Sequence, residues 1–143
     1  MVRSAETVVI RRPPDEVFAY VADLRNEPNW HVDVESVDPA TDPVPAVGKT
    51  YPLHFKPFMG KTEGSVTALD VTQGERLVYR AELAGLHPLV TYTVESAPEG
   101  TRFTRSVEMR PGGLALLMAP AMAFMVPRRN KVFVRNLKKV LER

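Results

Sequence analysis

At 143 residues and with no cysteine, the chain has room for one domain with a full core, but for no disulfide framework, thiolate metal site or cysteine nucleophile. A net charge of +2, from 19 basic and 17 acidic residues, leaves no broad electrostatic footprint for nucleic acid. The composition, 44% hydrophobic and 25% charged, is ordinary for a globular protein, and Met1–Glu6 lacks the apolar segment of a signal peptide. A single cytoplasmic domain over residues 1–143 is therefore expected.

Thr7-Val8-Val9-Ile10 is a β-branched run and reads as the first strand. Pro14 suits a first helical position, Asp15 and Glu16 suit the positive end of the helix dipole, and Val17, Tyr20, Val21 and Leu24 recur at helical spacing. Asn26-Glu27-Pro28-Asn29 should break this helix before Trp30. From Val32 the pattern turns to strand, and Pro39 to Pro45 reads as a loop. Five strands follow, at Lys49–Phe58, Lys61–Val71, Arg76–Ala84, Leu89–Ser96 and Thr101–Met109. Met59-Gly60, Gln73-Gly74, Gly85 with Pro88, and Pro98-Glu99-Gly100 punctuate them, which predicts a consecutively wound antiparallel sheet.

Leu114 to Val126 contains no polar residue and is interrupted by Pro120; beyond Pro127, Val132 to Leu141 is amphipathic with Phe133, Leu137 and Val140 on one face. The two prolines should kink this long element or split it in two. Helices on one face of a curled antiparallel sheet would leave the other face in solvent and enclose an apolar cavity.

Four segments carry a resemblance over nearly the whole chain: Pro13-Pro14-Asp15-Glu16-Val17-Phe18-Ala19-Tyr20-Val21-Ala22-Asp23 running on to Trp30; Val47-Gly48-Lys49-Thr50-Tyr51; Glu99-Gly100-Thr101-Arg102-Phe103; and Leu137-Lys138-Lys139-Val140-Leu141-Glu142. In this order they resemble the START/Bet v 1-like helix-grip superfamily and its SRPBCC branch of polyketide cyclase/dehydrase type. The resemblance implies an α+β helix-grip fold, with a seven-stranded curved antiparallel sheet wrapped around the C-terminal helix. It also implies a deep pocket for lipids, polyketides or other apolar molecules. Such proteins share no catalytic motif, so no catalytic residue is carried over.

The residues offer little chemistry of their own. His31, His54 and His87 lack metal-ligand spacing, and each is expected to be structural or superficial, with His31 near the pocket mouth. Gly48-Lys49-Thr50 and Gly60-Lys61-Thr62 lack the upstream glycine of a phosphate loop, where Pro43 and Phe55 stand instead. Ser65 lacks the flanking glycines of a nucleophile elbow. No metal or cofactor is predicted, and no catalytic residue is assigned; acid–base work in the cavity would fall to Tyr51, Tyr79, Tyr92, Arg105 or His31.

The expected pocket lining is Trp30, Tyr51, Leu53, Phe55, Leu77, Tyr79, Tyr92, Phe103, Arg105, Val107, Met118 and Met122. The tyrosines would serve as core residues or as polar anchors, or as acids if their pKa values were lowered. Arg105 alternates onto the face of Phe103, Val107 and Met109, so its guanidinium must reach the rim, pair internally or meet an anionic ligand. The leading expectation is a carrier or binding protein for a hydrophobic small molecule. A cyclase, aromatase or dehydratase in the same cavity is the alternative. A third reading takes the all-round apolar Leu114–Val126 as a contact for a membrane surface or a second copy. Arg128, Arg129 and Lys131 would suit the membrane or simply form a solvated face.

Overall fold

The computed structural model describes residues 1–37 and 42–143, so residues 39–41 of the expected Pro39–Pro45 loop lie outside it. Strands β1 (Val2–Ile10), β2 (Val34–Val37), β3 (Thr50–Phe58), β4 (Lys61–Thr72), β5 (Arg76–Leu83), β6 (Leu89–Ala97) and β7 (Gly100–Met109) form one sheet. Their order is β1-β7-β6-β5-β4-β3-β2, with every neighbouring pair antiparallel. Period-two alternation sets what the sheet buries. Tyr51, Leu53 and Phe55, then Leu77, Tyr79 and Ala81, then Val90, Tyr92 and Val94, and finally Phe103, Arg105 and Val107 all face inward. Arg80, Glu82, Glu95, Arg102 and Glu108 face water.

The sheet curls, and the register shifts in β2–β3, β3–β4 and β4–β5 explain how. An extra residue in one strand bends it and increases the local twist. Tight turns hold the hairpins: Met59 and Gly60 (φ 52° and 77°), and Ala84 and Gly85 (φ 50° and 84°), are both left-handed pairs. Gly100 has a different task. Its φ is +140°, and a Cβ there would stand 2.4 Å from the Ile10 carbonyl oxygen, so only glycine lets the β6–β7 hairpin press against the end of β1.

The first strand begins at Val2 rather than Thr7. Residues Val2–Glu6 pair in register with Met109–Arg105 of β7, and main-chain pairing of this kind tolerates the exposed Arg3 and Ala5 that obscured the pattern. Helix α1 (Pro14–Ala22) starts on Pro14 and buries Val17, Phe18, Val21 and Ala22. The predicted break at Asn26–Asn29 is instead a 3-10 turn (Leu24–Asn26) followed by the short helix α2 (Glu27–Trp30). Asp23 caps the turn by accepting from the Arg25 amide, and Pro28 occupies the first turn of α2, where its missing N–H costs nothing.

The last element also differs from expectation. Gly113–Met118 is a 3-10 segment, and α3 (Ala119–Leu141) begins only after it, so Pro120 lies in a first helical turn rather than interrupting a helix. The helix continues through Pro127 and is not split in two. It packs against β1, β7 and α2, burying Met122, Asn130, Phe133, Val134 and Leu137. Its end is tied to the β1–α1 link: Arg12 Nε donates to the Leu141 carbonyl at 2.6 Å, and the Arg11 amide donates to the Glu142 carboxylate at 2.9 Å. No helix among the described residues is long and apolar enough to cross a membrane.

Trp30 is fully enclosed at the centre, edge-on to Tyr92 (5.4 Å between ring centroids) and to Phe103 (6.0 Å). Edge-to-face packing of this kind adds about 0.5–1.5 kcal/mol per pair beyond the area buried. This aromatic cluster fixes the floor on which the functional groups stand.

Candidate functional site

Between the concave face of the sheet and α3 lies a pocket of about 320 Å³. Leu53 and Phe55 come from β3, Val66 from β4, Tyr79 and Ala81 from β5, Val90 and Tyr92 from β6, and Arg105 and Val107 from β7; Met122, Met125, Val126, Arg129 and Phe133 come from α3. Most of this wall is hydrocarbon, as ligand pockets generally are.

Of the residues predicted to line it, Leu53, Phe55, Tyr79, Tyr92, Arg105, Val107 and Met122 border the space. Trp30, Tyr51, Leu77, Phe103 and Met118 do not. Trp30 and Phe103 stand behind Tyr92 in the aromatic cluster, and Leu77 is fully buried in the same core. Tyr51 turns its hydroxyl to the loop that follows β2, donating to Asp42 at 2.6 Å and accepting from the Ala46 amide at 3.0 Å. Met118 packs with Val2, Leu86 and Met122 in a smaller cluster beside the pocket.

At one end the apolar wall gives way to polar groups. Glu27, placed by α2, is buried, and its Oε1 accepts a short hydrogen bond from the Tyr92 hydroxyl. Burial pushes its carboxyl up to about 7, against the opposing pull of the Tyr92 hydrogen bond and the Arg105 charge. Burial also drives Tyr79 and Tyr92 well above the ordinary tyrosine range, so both remain neutral donors. Lowered tyrosine pKa values, the condition set for an acid role, are thus not found.

His31 stacks on Phe133 with ring centroids 3.9 Å apart. Burial, and then Arg105, hold its imidazole well below its ordinary range, in the neutral form.

Arg105 is 6% exposed, so it does not reach the rim. Its Nη1 donates to Asn130 Oδ1 at 2.9 Å, and its guanidinium lies 5.2 Å from the centre of the Phe133 ring. Asn130 in turn donates to Ser4 Oγ at 3.1 Å and to the Arg105 carbonyl at 3.0 Å. The partner of the cation is therefore a neutral amide. Arg129, by contrast, has a carboxylate: it grips Asp33 through two hydrogen bonds of 2.6 and 3.1 Å.

Four enclosed polar atoms on pocket residues have no hydrogen-bond partner among the described residues: Glu27 Oε2, His31 Nδ1, Tyr79 Oη and Arg105 Nε. Each such atom costs about 1–3 kcal/mol when left bare. All four belong to residues that line the apolar pocket.

Sequence reasoning missed Glu27 and Asn130. Glu27 beside Pro28 is the same helix-start signal as Asp15 and Glu16 beside Pro14, but it lies inside an apparent break. Asn130 shares the spacing of Phe133, Val134 and Leu137, so the amphipathic pattern already placed an amide on the buried face. Of the other histidines, His54 lies 3.9 Å from Glu63 at the surface and His87 is exposed. The basic cluster is divided: Arg129 is engaged with Asp33, Arg128 lies over the Phe124 ring at 4.9 Å, and Lys131 is exposed.

A curled antiparallel sheet gripping a long helix, with a pocket between them, is the architecture of helix-grip proteins. The chain belongs to the family described as polyketide cyclase/dehydrase and lipid transport, which matches residues 1–142. Among solved structures it is similar to DynU16, a protein of the dynemicin biosynthetic locus (18% identity, TM-score 0.76). The match covers 99% of this chain but 48% of DynU16, so the chain spans about half that protein's length. It is also similar to BH1534 of Bacillus halodurans (16% identity, 99% and 98% of the two chains, TM-score 0.76). A third likeness is to CV1439 of Chromobacterium violaceum (17% identity, 100% and 99%, TM-score 0.72). At these identities the likenesses establish the fold. No protein of curated function matches the chain.

Proposed function

We propose that the chain, acting as one cytoplasmic domain over residues 1–143, binds a hydrophobic lipid- or polyketide-like molecule in the internal cavity as a carrier or binding protein. The observation that carries this reading is the pairing of an apolar wall with a cluster of unsatisfied polar atoms at one end. A bend of α3 at Pro127, where the ring removes one helical hydrogen bond, would widen the mouth beside Met125 and Val126.

Native mass spectrometry of protein purified from its own host tests the reading by finding or failing to find a retained apolar molecule. Ala81 borders the space and is buried, so Ala81→Phe should fill it. The variant is expected to fold with stability within about 1.5 kcal/mol of wild type and to lose the retained molecule. Retention by this variant would place the molecule elsewhere.

A cyclase, aromatase or dehydratase working in the same cavity is the second reading. It is favoured by the Glu27 carboxyl, hydrogen-bonded to Tyr92 and titrating near neutrality, where a general acid–base group is most effective.

A third reading concerns the outside of the molecule. Leu114 and Leu117 are 85% and 82% exposed, and Leu116 and Phe124 are exposed near them. Such a patch suits a membrane surface or a second copy. Leu117→Glu should abolish liposome binding or concentration-dependent dimerisation in sedimentation assays; wild-type protein showing neither would remove this reading.

A further inference from the structure

We infer that the molecule in the cavity ends in a carboxylate, or an equally anionic oxygen, seated against Arg105 with Tyr79 and Glu27 beside it. This inference rests on the pocket-binding reading above and specifies the charge of its ligand.

Arg105 is the reason. Its guanidinium is buried, and the groups holding it are the Asn130 amide and the Phe133 ring, neither of which carries a negative charge. The ion pairs among the described residues leave it out: Asp33 is taken by Arg129, and the remaining pairs, such as Arg76–Asp70 and Arg102–Glu95, lie towards solvent. Among the described residues, Glu27, whose carboxyl feels the Arg105 charge, directs one oxygen to Tyr92 and leaves the other without a partner. A buried cation without a counter-charge is costly, and a charge-assisted hydrogen bond to a carboxylate is the usual remedy. None of the described residues supplies that carboxylate.

The neighbouring groups favour the same occupant. Arg105 Nε and the Tyr79 hydroxyl are enclosed donors with no acceptor among the described residues. A protonated Glu27 adds a third donor, from the oxygen that now lacks a partner. Glu27 faces Tyr92 from β6, Arg105 from β7 and Tyr79 from β5, with neutral His31 beyond it and the self-paired Asp33 and Arg129 on the side of α3. A second cation in this setting would meet Arg105 unshielded, so amines are disfavoured. A neutral hydroxyl would satisfy the hydrogen bonds but leave the charge unanswered.

The test compares ligands that differ only at the polar end: decanoate with decanol, and 2-naphthoate with 2-naphthalenemethanol. Each is titrated calorimetrically into the full chain. In at least one pair the carboxylate should bind about tenfold or more tightly than its alcohol at about pH 6, and Arg105→Gln should bring the two within about twofold. Carboxylate affinity should fall between about pH 6 and pH 8, as Glu27 ionises and becomes a repelling neighbour, while alcohol affinity stays level.

If Arg105→Gln does not fold, Asn130→Asp replaces it, because an internal carboxylate on Arg105 should abolish the preference. Equal binding within both pairs would overturn the anionic ligand and leave the pocket reading standing, with water satisfying the orphaned groups. Binding by none of the four probes would overturn both.

Discussion

Asn130→Leu is expected to destabilise the protein by on the order of 3 kcal/mol, a large fraction of a domain's net stability. Leucine keeps the branched outline of asparagine, though it is bulkier, and removes three hydrogen bonds, to Arg105 Nη1, the Arg105 carbonyl and Ser4 Oγ. The asymmetry lies in what remains. Arg105 would stay buried with only an aromatic face for company, and a charged donor stranded in that way costs more than a lost neutral pair.

Asn130→Asp separates charge from packing. It restores an acceptor for the guanidinium, though one carboxylate oxygen must then face the Arg105 carbonyl in place of a donor. It should be more stable than the leucine variant in urea denaturation and have no preference for carboxylate ligands. Equal stability of Asn130→Leu and wild type would mean that Arg105 is hydrated, not buried.

The second large effect concerns pH. Glu27 has a folded-state value of about 7 against an ordinary 4.5. Between those values the unfolded chain has lost the proton and the folded chain keeps it, so stability falls as pH rises. The whole contribution is on the order of 3 kcal/mol, present below about pH 4.5 and lost through about pH 7.

His31 acts in the opposite sense. Its value lies well below an ordinary 6.5, so the unfolded chain takes up a proton that the folded chain refuses, and stability falls as pH drops below 6.5. In the wild type the two slopes oppose each other between about pH 4.5 and 6.5. Glu27→Gln, which can still accept from Tyr92, should expose the His31 slope. The stability of the variant minus that of wild type should therefore climb by on the order of 3 kcal/mol from about pH 4.5 to 7 and then level off, as measured by urea unfolding at each pH. A difference independent of pH would place Glu27 in contact with water.

The same variant distinguishes carrier from enzyme. If the cavity catalyses cyclisation or dehydration of a poly-β-carbonyl thioester, Glu27→Gln should abolish turnover while leaving apolar ligands bound. If the chain only carries its ligand, wild type shows no turnover either.

Much of this molecule follows from local pattern. Alternation along β3 and β5 to β7 already selected the buried face, including Arg105, because side chains two apart must share a side of a strand. Pro14 with Asp15 and Glu16 marked the start of α1, and turn glycines marked the hairpins. The resemblance of the whole chain to the helix-grip superfamily agrees with the family match.

The polar end of the pocket was not legible in the same way. Its groups come from α2, β5, β6, β7 and α3, and Glu27 meets Tyr92 across 65 residues of chain. Only folding brings them together, and only burial shifts the titration of Glu27 and His31. Sequence therefore determined a buried, mostly apolar sheet face carrying one arginine, as alternation requires. The tertiary structure decided that this arginine is paired with an amide instead of a carboxylate, since desolvation and partner choice belong to the packed state alone.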